Sequence, residues 1–200
     1  MTQVLLATRN TKKLAELRRI LDPLLPGVEV LGLDSVPAYD EPPETEPTFE
    51  GNALIKARAA VAASGLPSLA DDSGLCVDAL GGMPGVLSAR WSGHPKDDRR
   101  NNELLLAQLA DVPDSRRAAH FACAVAFCRP DGEDVVTGEM HGRIIREMRG
   151  EGGFGYDVLF VPDGHDLTGA EMDPELKDEL SHRGKSLRAV APIVAKALAG

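Results

Sequence analysis

The chain has 200 residues, 43% of them hydrophobic, with a formal net charge of −9 at pH 7. This size and composition are typical of one soluble globular domain, so we expect residues 1–200 to form a single domain. The negative charge argues against nucleic-acid binding. Because no membrane-spanning run or secretory signal pattern is visible, and the three cysteines lack metal-ligand spacing, we expect a reduced cytoplasmic protein without membrane contact.

The order of strand and helix patterns along the chain predicts a mixed β-sheet with helices packed on it. Strands are expected at residues 3–7, 28–31, 66–72, 119–129, 134–145 and 158–161. Helices are expected from about Leu14 to Leu24, between Thr48 and Gly65, from Asp98 to Leu109, from Pro174, and after residues 181–184. Thr48 is suited to cap its helix and Gly65 to end it.

Two adjacent carboxylates, Asp71 and Asp72, form the most informative feature of the chain, and Ser73 and Gly74 follow them. Neighbouring side chains of a strand point to opposite faces, so both carboxylates cannot face the core. We expect the strand to end here, where α/β proteins commonly bind ligands and divalent metals. A solvated turn built from the same residue types is the alternative.

A second candidate site lies where the first strand passes into the first helix. Its hydroxyl, amide and lysine groups, with free backbone N–H groups at the helix start, are suited to bind an anion. An ordinary capped helix with solvated lysines is the alternative, and the glycine spacing of a P-loop is missing. The candidate residues are Thr8, Arg9, Asn10, Thr11, Lys12 and Lys13.

Three further segments carry candidate binding groups. Asn52 and Lys56 share one helix face, and Glu44 and Glu46 precede them in an acidic loop that can supply oxygen ligands to a metal. The glycine-rich stretch 152–157 offers Phe154 and Tyr156 for stacking on a base. A donor-rich group consists of Lys177, Ser181, His182 and Arg183. Solvated or purely structural roles remain alternatives for all three.

Taken together, these segments closely resemble the bacterial type of the inosine/xanthosine triphosphate pyrophosphatase family. The matching strings appear in family order and span almost the whole chain. They are Ala7-Thr8-Arg9-Asn10 with Lys13, Thr48-Phe49-Glu50 with Asn52-Ala53 and Lys56-Ala57, Ala70–Leu75, Gly81–Val86 with Ser88-Ala89-Arg90, Gly152–Asp157, and Ser181–Gly184.

The resemblance implies an α/β, elongated, two-lobed fold in which helices flank a mixed twisted sheet and the active-site cleft lies between the lobes. It also implies a homodimer that hydrolyses ITP, dITP and XTP to the monophosphate and pyrophosphate with Mg²⁺. Asp72 matches the family's proton acceptor and a metal ligand, and Glu44 matches the second ligand. The substrate contacts implied are Thr8 to Lys13, Ser73, Phe154, Gly155, Tyr156, Asp157, Lys177, His182 and Arg183.

Three positions depart from the family pattern. Gly51 stands where an acidic residue is common, Glu46 where glycine is common, and Val158 where proline is common. The second departure leaves open whether Glu44 or Glu46 binds the metal. A related pyrophosphatase acting on modified pyrimidine nucleotides and a non-catalytic nucleotide-binding protein are the alternatives. An RNA-binding module is disfavoured by the acidic charge and by an aromatic content of 4%.

Overall fold

The computed structural model describes residues 2–199, which form one mixed β-sheet with α-helices packed on it. The strands are β1 (Thr2–Leu6), β2 (Val28–Leu31), β3 (Ser68–Val77), β4 (Ala118–Arg129), β5 (Gly132–Ile144) and β6 (Phe160–Pro162). The helices are α1 (Thr11–Leu21), α2 (Phe49–Ser64), α3 (Asp98–Gln108), α4 (Pro174–Leu180) and α5 (His182–Leu198). The predicted α/β class is confirmed.

The six strands lie in the order β2-β1-β3-β4-β5-β6. Strand β1 pairs in parallel with both β2 and β3, whereas β6 runs antiparallel to β5. Parallel neighbours need a crossover connection, and α1 and α2 lie within the two crossovers that lead from β1 to β2 and from β2 to β3. The sheet is therefore mixed, as the sequence predicts.

Helix α2 begins and ends at the residues that the sequence indicates. The Thr48 Oγ1 accepts a hydrogen bond from the N–H of Gly51 at 3.2 Å, which satisfies one donor of the first turn. Gly65 ends the helix with a φ of 71°, a left-handed conformation that glycine adopts without steric cost. These local signals fix the helix that carries Asn52 and Lys56.

Strand β3 differs from the prediction, because it does not end at Asp72 but continues to Val77. Leu75 and Val77 are fully buried, so the apolar burial resumes after the two carboxylates and the strand is extended by tertiary packing. Asp71 and Asp72 consequently lie inside a buried strand, and the solvated-turn alternative for them is wrong.

The chain divides into two compact units, which we describe separately. The first unit comprises the described residues up to Asp72, Cys123–Gly138 and the residues from His182 onward. It has an apolar cluster on each face of its part of the sheet. One cluster joins α1 and α5 to Val4, Leu6 and Leu69. The other joins α2 to Leu5 and Ala70.

The second unit comprises Ser73–Ala122 and Glu139–Ser181. Its apolar core draws on α3 and on the residues after the glycine-rich stretch, and it includes the ring of Tyr156. No helix in the described part of the chain has the length and apolar character needed to cross a membrane. Of the three cysteines, Cys123 and Cys128 are buried and Cys76 is partly buried, and all three are free thiols.

Candidate active site

The alternation of side chains along β3 sends Asp71 and Asp72 to opposite faces of the sheet. Leu69 packs in the cluster of α1 and α5, whereas Ala70 packs in the cluster of α2. Asp71, two residues after Leu69, is therefore on the α1/α5 face, and Asp72 is on the α2 face. Both carboxylates are buried, so each requires compensating partners from the helix that covers it.

Asp71 binds two cations, one from each helix on its face. Its Oδ2 accepts from Lys13 Nζ at 2.9 Å and from Arg183 Nε at 3.3 Å. Burial raises the pKa of the Asp71 carboxyl, but the charges of Lys13 and Arg183 outweigh this and hold the pKa well below its ordinary value. Arg183 also donates from Nη1 to Glu16 Oε2 at 2.8 Å, so a guanidinium lies between two buried carboxylates.

Asp72 contacts two polar side chains of α2 that lie one turn apart. Lys56 Nζ donates to Asp72 Oδ1 at 3.0 Å, and Asn52 Nδ2 lies 3.4 Å from Asp72 Oδ2. Burial raises the pKa of Asp72; the charge of Lys56 lowers it and that of Glu44 raises it, and the burial leaves the pKa above its ordinary value. The two neighbouring carboxyls are thus pushed in opposite directions, and Asp72 is the stronger base.

The acidic loop is tied to the same lysine. Lys56 Nζ donates to Glu44 Oε1 at 2.9 Å. The side chain of Asn52 binds the backbone of Glu46 twice: its Oδ1 accepts from Glu46 N–H at 3.0 Å, and its Nδ2 donates to Glu46 O at 3.2 Å. The departure at Gly51 has a steric reason, because a Cβ at this position would lie 2.6 Å from Cβ of Glu46. Glycine at position 51 and glutamate at position 46 therefore depend on each other.

The donor set around Lys56 fits a hard divalent cation. Glu44 and Asp72 both place an oxygen within 3.0 Å of the ammonium group of Lys56, so the two carboxylates lie close to each other. No group of three or more His, Cys, Asp or Glu side chains suited to a metal occurs within residues 2–199. Mg²⁺ tolerates such a site, since it usually takes one or two carboxylates and completes its shell with water and phosphate oxygens.

The predicted anion site at the start of α1 is organised differently from the expectation. The Asn10 Oδ1 accepts from the N–H groups of Lys12 at 3.0 Å and Lys13 at 3.1 Å, so these two amides are already bonded. The hydroxyl of Thr8 accepts from Asn10 N–H at 3.3 Å. Arg9 is exposed and lies 3.6 Å from Glu41. Side chains rather than these amides are therefore the groups that can meet an anion here.

In the second unit, the glycine-rich segment 152–157 and α4 form a second polar group. Lys177 Nζ donates to Asp157 Oδ2 at 2.6 Å, and the same carboxylate oxygen accepts from Phe154 N–H at 2.9 Å. The ammonium of Lys177 also lies 5.6 Å from the centroid of the Phe154 ring. The sequence-predicted residues Phe154, Asp157 and Lys177 are thus in mutual contact.

The two aromatic rings of this segment have different environments. The ring of Tyr156 is 3% exposed within the core of the second unit, and its hydroxyl donates to Ser88 O at 2.9 Å. Burial raises the pKa of Tyr156. Tyr156 is therefore a core residue, and the expectation that its ring can stack on a base is wrong. Phe154, by contrast, is only partly buried and retains accessible surface. Ser73 is partly buried and His182 is buried, the latter as the first residue of α5.

Sequence reasoning missed Glu16, which belongs to the group of charged side chains around Asp71 and Asp72 because it accepts from Arg183. Its signal is its position, three residues after Lys13 and four before Ile20, which places it on the buried stripe of α1. The carboxylates of Glu16, Asp71, Asp72 and Glu44 outnumber the cations Lys13, Lys56 and Arg183 in this group.

The sequence of this chain matches the model of a known protein family. The model is described as the Ham1 family, and the match covers residues 4–193. This chain belongs to the Ham1 family. A relative named dITP/XTP pyrophosphatase from Nocardia farcinica is 63% identical over 98% of this chain and 96% of its own length. A relative of the same name from Mycobacterium tuberculosis is 59% identical over 96% of this chain and 94% of its own length.

Solved structures also match this chain along its length. The dITP/XTP pyrophosphatase of Mycobacterium abscessus is 56% identical, covers 96% of this chain and all of its own, and gives a TM-score of 0.78. The Staphylococcus aureus Ham1 protein is 34% identical, covers 98% of this chain and 100% of its own, and gives a TM-score of 0.86. The family membership inferred from the sequence motifs is therefore confirmed.

The opposite pKa shifts predict opposite effects of removing the two charges. Asp71→Asn leaves Lys13 and Arg183 short of a buried anion, so we expect it to lower the free energy of unfolding at pH 7 by about 3 kcal/mol. For a chain of this size that corresponds to a fall in Tm of about 6–12 °C. Asp72→Asn removes a charge that burial disfavours, and its Tm is expected to equal or exceed that of the parent protein.

Thermal denaturation without added metal measures both variants. Because the folded pKa of Asp71 is lowered, its stabilisation is present above the unfolded pKa of about 3.9 and is lost as the pH falls through the folded pKa. The Tm difference between the parent and Asp71→Asn should therefore stay constant from pH 7 to about pH 5 and shrink as the pH is lowered below about 3.9. A larger loss in Asp72→Asn than in Asp71→Asn would contradict the electrostatic assignment.

Proposed function

We propose that this chain hydrolyses the deaminated or oxidised purine nucleoside triphosphates ITP, dITP and XTP to the monophosphate and pyrophosphate, and so removes them from the nucleotide pool. The observation that carries the proposal is the pair Asp71 and Asp72, adjacent carboxylates with opposite pKa shifts, bound by lysines from two different helices. The names of relatives that are more than half identical to this chain support the same reaction.

Asp72 acts as the proton acceptor in this proposal. Its buried carboxylate, positioned by Lys56 and Asn52, accepts a proton from the water that attacks the α-phosphorus. Lys13 and Lys56 neutralise charge on the departing pyrophosphate, and such electrostatic stabilisation supplies most of the acceleration in phosphoryl transfer. Asp71, held by its two cations, keeps Lys13 and Arg183 in place.

Asp72 and Glu44 are the residues that would hold Mg²⁺. When bound, the ion would polarise phosphate oxygens and offset the charge of the triphosphate. Glu44 rather than Glu46 is favoured because its carboxylate and that of Asp72 contact the same ammonium group. Thr8 to Lys13, Asn52 and Lys56 are proposed to bind the phosphates together with Ser73, His182 and Arg183.

Phe154, Asp157 and Lys177 are proposed to bind the base. Hypoxanthine and xanthine have an oxygen at C6, where adenine has an amino group. A hydrogen-bond donor such as Lys177 therefore favours binding of hypoxanthine and xanthine over adenine. Gly155 and Tyr156 shape this segment. We also propose that the protein is a cytoplasmic homodimer and that residues 1–200 of each subunit form a single domain. As the family resemblance implies, this domain is proposed to be elongated and two-lobed, with the active site in the cleft.

A panel of nucleotides tests the reaction. Pyrophosphate release from ITP, XTP, dITP, GTP, ATP and dUTP is measured with Mg²⁺ and in excess chelator. We expect ITP and XTP to exceed ATP in kcat/KM by about 10⁴-fold, since an unpaired buried donor strongly disfavours adenine. Comparable rates with ATP would refute base recognition by a donor. Faster release from dUTP would indicate a pyrimidine-directed pyrophosphatase, and binding without turnover a non-catalytic protein.

The role of Asp72 is tested by Asp72→Asn, which keeps the shape and removes the base. We expect kcat for ITP to fall by at least about a hundredfold, the range typical of acid–base groups. Asp78→Asn, at an exposed carboxylate six residues further along the chain, is the matched control and should leave kcat unchanged. Near-normal turnover by Asp72→Asn would remove this residue from the role.

The metal ligand in the acidic loop is identified by comparing Glu44→Gln with Glu46→Gln. Loss of a ligand should raise the Mg²⁺ concentration for half-maximal pyrophosphate release by about tenfold or more in Glu44→Gln. The same variant should show a smaller rise in Tm with added Mg²⁺ and nucleotide. Glu46→Gln should behave as the parent protein in both measurements, and the reverse pattern would assign the ligand to Glu46.

A further inference from the structure

Helix α3 holds the peptide groups of Gly155 from both sides. Asp98 Oδ2 accepts a hydrogen bond from Gly155 N–H at 2.8 Å, and Asn102 Nδ2 donates to Gly155 O at 2.9 Å. Asp98 and Asn102 are one helical turn apart, so both reach the same residue from one face of α3. All three residues belong to the second unit. Gly155 thus has a partner for both of its backbone polar groups.

The start of α3 is built so that Asp98 is available for this contact. The helix cap is Asp97, whose Oδ1 accepts from Arg100 N–H at 2.9 Å. Asp98, the first residue of the helix, is therefore not needed as the cap. Asn102 connects the two contacts, because its Nδ2 also donates to Asp98 O at 2.8 Å.

Asn102 does not have the environment of a residue retained for stability alone. It is 2% exposed, and its Oδ1 is buried without a hydrogen-bond partner among residues 2–199. A buried acceptor without a partner lowers stability, and an apolar residue at this position would avoid that loss. The group that explains an asparagine here is its amide donor, which binds Gly155.

The segment that α3 holds has three glycines in the four residues 152–155, which restrict the backbone least. Gly153 and Gly155 have φ values of 68° and 62°, conformations that glycine permits but does not enforce. Phe154 lies between them, so the direction of its ring depends on how the two flanking glycines are fixed. Phe154 N–H donates to Asp157 Oδ2 and Phe154 O accepts from Asp157 N–H at 3.4 Å, and the contacts at Gly155 add a restraint from α3.

We propose that Asp98 and Asn102 are positioning residues that preorganise Phe154 for contact with the nucleotide base. This inference rests on the proposed function, because it takes the glycine-rich segment as the base-binding element. Without the two contacts, the peptide groups of Gly155 lose their restraint from α3, and the conformational freedom that is then lost when the nucleotide binds weakens binding. Apart from Ser73, the groups proposed to act on the phosphates are in the first unit, so we expect the chemical step to be unaffected.

The test compares Asp98→Ala with Asp98→Asn, which keeps an acceptor for the Gly155 N–H. We expect Asp98→Ala and Asn102→Ala to raise KM for ITP by about tenfold with kcat within about twofold of the parent. Asp98→Asn should restore KM to within about threefold of the parent. Glu103→Gln, at an exposed position of α3 paired with Arg99, is the matched control and should change neither constant.

A second measurement does not depend on activity. Amide hydrogen exchange of Gly155, followed by NMR without nucleotide, should accelerate in Asp98→Ala and in Asn102→Ala but not in Glu103→Gln. If the parent protein does not hydrolyse ITP, the proposed function fails, while the exchange rates still test the contacts. If the parent is active and both alanine variants keep its KM, the inference alone is overturned. It is equally overturned if kcat and Tm fall together with no separate change in KM.

Discussion

The alternation of side chains along β3 is the constraint on which the candidate active site depends. The strand lies in a sheet covered by helices on both faces, so successive residues alternate between α1 and α5 on one face and α2 on the other. Two adjacent carboxylates at this place cannot share one environment. Asp71 faces α1 and α5, Asp72 faces α2, and a single strand thereby connects cationic side chains from three helices.

The two carboxylates show how burial alone does not determine chemistry. Both are buried, yet two cations hold the pKa of Asp71 low, whereas Asp72 shares Lys56 with Glu44 and has a raised pKa. A carboxyl whose cations stabilise its charge is suited to hold those cations in position. A carboxyl with a raised pKa is suited to accept a proton. The division of roles thus follows from the number of cations and carboxylates around each group.

Much of this architecture could be predicted from local sequence, and the exceptions share a cause. The cap at Thr48, the end of α2 at Gly65 and the shared face of Asn52 and Lys56 are properties of a few consecutive residues. The continuation of β3 to Val77 and the burial of Tyr156 depend on packing against distant segments, which no local pattern contains. The motifs therefore indicated which residues are important more reliably than what each side chain contacts.

The two units fix their functional groups by different means. In the first, ion pairs between buried side chains hold long lysine and arginine chains, which would otherwise sample many rotamers. In the second, side chains of α3 bind the backbone of a glycine-rich segment, because glycine has no side chain through which packing can restrain it. A segment that uses glycine to approach a ligand closely needs such an external support. The adjacent Asn101 gives the same kind of support to Ser92, whose N–H and hydroxyl it binds at 2.7 Å. Helix α3 therefore supports two loops in addition to contributing Leu105 to the core of the second unit.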